Sequence, residues 1–570
     1  MPDESPQPRR SLLAALDALA LITIVVVSGY DVVAATPHAA AWVVVALVTA
    51  IGAFADMREV RASPDPLDLL RRQGVEWLAL ALAIFIVAFL GPQHTSVKVC
   101  LFVRLLVHMS RETLATRAGA ALAGFFSEQA ARLLVFSFLA VIAIGTLALT
   151  FPRATSDGQG ASFLDALFTS VSATCVTGLI VRDTGSYFSS FGQGVILVLI
   201  QVGALGMMTI SASAAVMFGR RLGLRSRSVL AEVLGQGDLQ TMHRLVSYIV
   251  KMTFLIELAG ALLLYLRFRA DMPSGAAAYQ AIFHAISAFA NAGFSLNADS
   301  LVGYRADLVV NTVISALIVL GGFGFTVIAA LTSRDSWRRT RRSRWASSSA
   351  HTRMVLIVSG GLLAFGAVAF YFLEYRNTLA GLPLGDKLFA SGFASVSART
   401  AGFNTVDLAQ LGPAMLMLTL ALMFIGGAPG GTAGGVKVTT VAVLTLAVRS
   451  YVLGRSEVEV FGRTIPKTVV YKAVAIVVIS FGLLMLIFTA LLATQDGLPF
   501  ERLLFESVSA YGTVGLSMGL TDKLDAVGRV LIAVLMFIGR TGPLAMALLI
   551  ASRGGRTAPY KLPHESVLVG

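Results

Sequence analysis

The sequence predicts an all-α polytopic membrane protein: four tandem repeats of outer helix, pore helix, filter turn and inner helix around one pore, with extra N-terminal transmembrane helices. Three observations carry the prediction. Of 570 residues, 56% are hydrophobic and 14% charged, with a mean hydropathy of +0.78; a soluble chain of this length carries about a quarter charged residues. Apolar spans of about 20 residues, enough to cross a bilayer, recur along the chain. Four stretches, SVSATCVTGL (170–179), HAISAFANAGFSL (284–296), SVSARTAGFNT (395–405) and SVSAYGTVGLS (507–517), each run from an apolar half-helix into a glycine turn and on into another apolar span. Their key glycines, Gly178, Gly293, Gly402 and Gly515, lie 115, 109 and 113 residues apart, the spacing of a repeated structural unit.

Taken in order, residues 1–127 supply about four spans, near 12–34, 40–56, 76–91 and 96–110. Residues 12–29 follow Arg9 and Arg10 but are long enough for a span and lack a small-residue cleavage site. Lys98, Arg104 and Arg111, with Asp17 and Asp31 as partners, are spaced too widely for a voltage-sensing helix, so peripheral packing or a dimer contact is the better reading. The repeats occupy 128–232, 233–350, 351–463 and 464–570. Outer spans are predicted near 131–151, 245–268, 354–374 and 468–494, and inner spans near 190–218, 305–332, 411–448 and 525–552. Twelve crossings put both termini on one side. The net charge of +13 collects in Arg220, Arg221, Arg225 and Arg227, and in Arg334, Arg338, Arg339, Arg341, Arg342 and Arg344, whereas loops 151–161 and 269–277 carry few charges. That asymmetry is the positive-inside pattern. It puts the clusters and termini in the cytoplasm and argues against nucleic acid as a partner. Cys100 and Cys175 fall in apolar or pore segments, so neither a disulfide framework nor a zinc site is indicated.

The chemistry is expected in the turns. A dehydrated cation needs oxygens in place of its water, and backbone carbonyls provide them without adding full charge. Aiming successive carbonyls at one axis takes backbone angles that glycine adopts cheaply. Each half-helix also brings its partly negative C-terminal end toward the centre. The predicted ring comprises Cys175, Val176, Thr177 and Gly178; Ala290, Asn291, Ala292 and Gly293; Arg399, Thr400, Ala401 and Gly402; and Gly512, Thr513, Val514 and Gly515. The hydroxyls of Thr177, Thr400 and Thr513 either hold the turns through backbone hydrogen bonds or touch the ion. A second glycine mark follows each turn: QVGALG (201–206), GGFG (321–324), GGAPGG (426–431) and GRTG (539–542). Close helix packing suffices for the first two. The third opens a segment with five glycines, a proline and a lysine, in which no straight helix is expected. Gly427, Ala428, Pro429, Gly430, Gly431, Thr432, Ala433, Gly434, Gly435 and Lys437 are therefore predicted to form an unwound loop beneath the pore, which must be protected by protein or water.

The four turns, GGAPGGTAGGVK (426–437) and MFIGRTGP (536–543) resemble, in order and spacing, the Trk/Ktr/HKT superfamily of potassium transporters, and its TrkH/KtrB-type membrane subunits in particular. The resemblance covers about residues 130–552. It implies one chain folded as a pseudo-tetrameric pore in the plasma membrane, assembled as a homodimer. It further implies an intramembrane gate loop and a cytosolic TrkA/KtrA-type regulatory ring, with any nucleotide held on that partner and no cofactor bound tightly to this chain. Potassium is the implied substrate, with sodium possible; glycine rather than serine at position 178 favours potassium. One glycine per turn implies less strict exclusion of sodium than in potassium channels. The family also implies an arginine facing the pore at Arg540, opposing a cation below the ring.

Other intramembrane charges have competing readings. Arg540 could instead pair with a buried carboxylate, and Lys437 either gates or snorkels to the interface. Arg399 is expected to brace the third turn through a carboxylate such as Glu506. Glu257 pairs with a pore helix or lines a lipid-facing defect, and His284 is a packing or hydrogen-bonding residue. A secondary carrier of two halves would show a two-fold repeat rather than a four-fold one. Motifs for bond-making chemistry are absent among the seven histidines and their neighbours, so no enzyme is predicted. Sodium- or proton-coupled cation symport with weak discrimination is the remaining alternative.

Overall fold

Serine or proline starts each of the four short helices on which the architecture rests. Phe163–Thr174 begins at Ser162, whose Oγ accepts the Asp165 N–H at 3.2 Å. Ser274–Ala290, Leu384–Ser397 and Phe500–Gly512 follow Pro273, Pro383 and Pro499, whose fixed φ sets the entry of the chain. The computed structural model describes residues 7–30, 38–62, 130–219, 239–332 and 348–542, with scattered positions between 76 and 112. Within them the order outer, pore, inner holds four times. Outer helices are Ala130–Leu149, Leu239–Phe268, Ala350–Glu374 and Lys467–Thr494. Inner helices are Ser190–Gly219, Leu308–Phe323 with Phe325–Thr332, Pro413–Phe424 with Val438–Val452, and Ala526–Thr541.

Among the described residues, four helices are long and apolar enough to cross a membrane, or five if the bent pair is one span. Their outward side chains are apolar: Leu258, Phe372 and Leu486 are about 70% exposed, a surface suited to lipid. Among the described residues the fold is all-α apart from one hairpin, Val458–Val460 with Arg463–Ile465. Phe461 and Gly462 both have positive φ there, as a two-residue hairpin turn requires.

The second inner helix departs from the sequence reading. GGFG is a break as well as a packing surface: a Cβ on Gly321 would lie 2.0 Å from the Phe289 carbonyl oxygen, and Leu308–Phe323 and Phe325–Thr332 are bent by 105° about Gly324, whose φ is +81°. The N-terminal region also differs. Arg104 pairs with Asp56 at 3.2 Å, and Asp17 with His108 at 2.5 Å. Lys98, Asp31, Arg111 and both arginine clusters lie outside the described residues. The first helix, Gln7–Tyr30, contacts the short turn Pro152–Ala154 and so rests on the first repeat.

Each repeat touches the next, and the fourth touches the first. Tyr279 donates to Gln193 at 2.8 Å, the Leu301 N–H to the Asn404 carbonyl at 3.1 Å, and the Phe424 and Tyr511 rings stack at 5.7 Å. Closure comes from Asp165 in the first pore helix, 3% exposed, which accepts from Arg529 of the fourth repeat at 2.6 Å and from Arg182 at 3.0 Å. Arg529→Met leaves this buried carboxylate with one arginine, an expected loss of about 1.5–3 kcal/mol. A lowered thermal midpoint in detergent checks it, and an unchanged midpoint would show that the contact does not hold the ring shut.

Candidate ion pathway

Three of the four pore helices end alike. The N–H groups of Thr177, Ala292 and Val514 reach back five residues to the carbonyls of Ser172, Ser287 and Ser509, at 2.8, 2.7 and 2.8 Å. Inside each, Val176, Asn291 and Thr513 bond three residues back, at 3.0–3.1 Å. This is the Schellman arrangement, which needs a left-handed residue. Val176, Asn291 and Thr513 take it with φ of 57°, 60° and 49°. The third turn is one residue shorter: Ala401 bonds to Ser397 at 3.0 Å, and Thr400 is left-handed at 67°. β-branched residues rarely adopt this conformation. Three of them at equivalent positions mark a strained, over-determined site.

The glycine two residues later then bends each turn toward its neighbour, with φ of 93°, 70°, 80° and 90° at Gly178, Gly293, Gly402 and Gly515. A Cβ on Gly178 would lie 2.3 Å from the Ala292 carbonyl oxygen. One on Gly293 would lie 2.8 Å from that of Ala401, on Gly402 2.6 Å from that of Val514, and on Gly515 2.1 Å from that of Thr177. The order is cyclic. All four glycines line one vestibule of about 440 Å³, together with Asp183, Asn297 and Asp522. At its edge Arg182 donates to Asp165, and that hydrogen bond raises the pKa of Arg182.

Four serines, which recur at nearly the same offset before each key glycine and which carry no role in the sequence pattern, brace the turns. Ser172 and Ser509 accept the N–H of Gly178 and Gly515, both at 3.1 Å. Ser287 donates to the Phe294 carbonyl at 2.7 Å, and Ser397 to that of Phe403. The hydroxyls of Thr177, Thr400 and Thr513, by contrast, are buried without a hydrogen-bond partner among the described residues, so they do not hold the turns.

Beneath the ring lies the loop 427–437, unwound as expected. Its stem is closed by Gly426 N–H to Val436 O at 2.8 Å and Val436 N–H to Phe424 O at 3.2 Å. Its tip meets two turns. Thr432 Oγ1 contacts Phe289 O at 3.2 Å and Asn291 Oδ1 at 3.0 Å, and a Cβ on Gly434 would sit 2.0 Å from Thr513 Oγ1. The break at Gly324 has its cause here. The Gly321 and Gly322 carbonyls accept from Thr432 at 3.0 Å and Ala428 at 2.9 Å, and Phe325 donates to Gly430 at 3.3 Å. The loop takes hydrogen-bonding groups that a continuous helix would use itself.

Two buried arginines and the half-buried Lys437 hold the same loop. Arg399 donates to Gly426 O at 2.6 Å, Lys437 to Ala433 O at 2.6 Å, and Arg540 to Thr432 O and, at 3.1 Å, to Gly203 O. This corrects the expected bond from Arg399 to Glu506. Glu506 accepts from Ser517 and, at 3.0 Å, from Thr521, because it faces the outer end of the fourth turn. Glu257 joins neither a pore helix nor a lipid-facing defect; Gln201 of the first inner helix donates to it at 3.1 Å. His284 bonds to Gln280 O at 2.8 Å and Ser295 Oγ at 3.0 Å.

A family profile described as TrkH, a cation transport protein, matches residues 116–554. Ktr system potassium uptake protein B of Bacillus subtilis is 40% identical over 441 residues, covering 77% of this chain and 96% of that protein. Potassium/sodium uptake protein NtpJ of Enterococcus hirae is 35% identical over 445 residues, covering 77% and 97%. The crystal structure of the potassium transporter TrkH from Vibrio parahaemolyticus superposes with a TM-score of 0.64 at 20% identity, over 84% of this chain and 98% of that one, a likeness of fold.

Ser172→Ala or Ser509→Ala strands a buried N–H at the ring, an expected cost of about 1–3 kcal/mol. Ser507→Ala removes only a bond within its own helix, to Leu503 O at 2.7 Å, and should cost less. Thermal midpoints of the three variants test the ranking; equal losses would remove the bracing role.

Proposed function

We propose, for a chain that belongs to the TrkH family of cation transport proteins, a potassium-uptake pore through the ring of four turns. The chain is a multi-pass membrane transporter and not an enzyme. The observation that carries the reading is the cyclic contact of Gly178, Gly293, Gly402 and Gly515 above one loop. Carbonyls of Cys175 to Gly178, Ala290 to Gly293, Arg399 to Gly402 and Gly512 to Gly515 replace water around the ion. The name of the Bacillus relative supports potassium as the ion. In this reading the pore sits in the plasma membrane with both termini cytoplasmic, and its four quadrants are the repeats 128–232, 233–350, 351–463 and 464–570.

Loop 427–437 is the gate. Its five glycines and its cationic latches give it two positions at modest cost in free energy, in the path or withdrawn. The bent half Phe325–Thr332 donates to Gly430 and leads into the basic segment 334–353. A nucleotide-binding ring docked on that segment and on 219–228 would therefore pull directly on the loop. The chain acts as a homodimer with that ring.

The second reading is sodium- or proton-coupled symport with weak discrimination, supported by the name of the Enterococcus relative. Reversal potentials in liposomes under opposed potassium and sodium gradients separate the two. Gly178→Ser puts a Cβ 2.3 Å from Ala292 O, so the ring must distort, and preference for potassium should fall. Unchanged relative permeability in a conducting variant would remove the ring from selectivity. Deleting 428–434, or the milder Thr432→Val, should raise flux without any partner and blunt the response to nucleotide. Flux no faster than the parent's would make the loop a packing feature.

A further inference from the structure

Outside the pore, the N-terminal helices bury a second polar centre. Asp17, Asp56, Glu76, Arg104 and His108 are each 1–2% exposed and come from helices Gln7–Tyr30 and His38–Ala62, position 76 and the stretch 104–108. His108 is oriented by Nδ1, which lies 2.5 Å from Asp17 Oδ2. Its Nε2 makes no hydrogen bond among the described residues. It faces Asp56 Oδ1 at 3.5 Å, beyond the reach of a good hydrogen bond. Arg104 holds the other oxygen of that carboxylate, Oδ2, at 3.2 Å. Glu76 completes the group: one ligand atom from each of Asp56, Glu76 and His108 lies within 4.8 Å of the other two.

We infer that Asp56, Glu76 and His108 bind a single divalent transition-metal ion of the zinc class. Tetrahedral bonds of about 2.0–2.2 Å put neighbouring ligand atoms about 3.3–3.6 Å apart, and Nε2 and Oδ1 stand at that separation. A ligating imidazole commonly holds its other nitrogen against a carboxylate, which fixes the tautomer and presents the free nitrogen; Asp17 does this for His108. An imidazole nitrogen with two carboxylates suits zinc rather than calcium or magnesium, which prefer oxygen alone. The ion ties three separate stretches of the N-terminal region, 38–62, 76 and 108, which lies before the residues matched by the family profile.

Full-length protein in detergent, freed of any affinity tag, stripped with a chelator and returned to Zn²⁺, is passed through gel filtration and its metal counted by mass spectrometry. Wild type should retain about one zinc per chain, and its thermal midpoint should fall with chelator and recover with zinc. His108→Ala and Glu76→Gln should lose the zinc and the recovery. Ion flux in liposomes reports whether each variant has folded. If His108→Ala does not fold, Asp17→Asn keeps the side-chain volume and should weaken zinc about 10–100-fold. Wild type that retains no zinc, or variants that retain as much as wild type, would overturn the site and leave a cluster held by its own ion pairs.

Discussion

Four backbone turns meet at the centre of this protein at distances that leave no room for a Cβ between them. The constraint propagates outward. Each turn is the capped end of a pore helix, so closing the turns on one another fixes where four helix C-termini stand and aims their partly negative ends at one point. The helices behind them must then allow a close approach. Gly203, Gly321 and Gly539 do so in three of the inner helices: a Cβ on each would lie 1.9–2.0 Å from a carbonyl oxygen at the end of its own pore helix, Thr174, Phe289 or Tyr511. The four turn glycines thus hold four helix ends together, a second set of three backs three of those ends, and the serines satisfy the N–H and C=O groups that the strained turns leave over.

The loop beneath answers a different problem. Eleven residues of irregular backbone enclosed by apolar helices need partners for every polar group. Part of the solution is a borrowed ladder, the carbonyls of Gly321 and Gly322 in a helix that breaks to lend them. The rest is charge: Arg399, Lys437 and Arg540 all direct donors at carbonyl oxygens of the loop or its stem. Charge-assisted bonds of this kind are stronger than neutral ones, yet they do not lock a carboxylate in place, and a carbonyl released to water loses little.

The repeat was legible because glycine has no substitute where backbone approaches backbone, and the same need recurs four times. The unwound loop was legible for a similar reason, since five glycines and a proline cannot make a helix. What could not be read were interactions whose partners are backbone atoms far along the chain. Arg399 bonds to the carbonyl of Gly426, and any residue type has a carbonyl, so the sequence held nothing to favour that partner over Glu506. The break at Gly324 depends on a loop about a hundred residues later. The left-handed Val176, Thr400 and Thr513 were hidden because their conformation runs against their own propensity. The serines are visible beside the recurring glycines, but their spacing does not say which backbone group each hydroxyl meets.

The ring is made by one continuous chain, and that has a consequence for how it could have diversified. In a ring of four identical subunits every change is written four times, and a plug grown from one wall would collide with its three copies. Among the described residues the third wall carries a loop that folds inward, the fourth supplies Arg540 to help hold it, and the second bends its helix to receive it. The third turn could also lose a residue while its three counterparts kept theirs. Covalent linkage of the quadrants separates a symmetric requirement, the converging helix ends, from asymmetric machinery that symmetry would have forbidden.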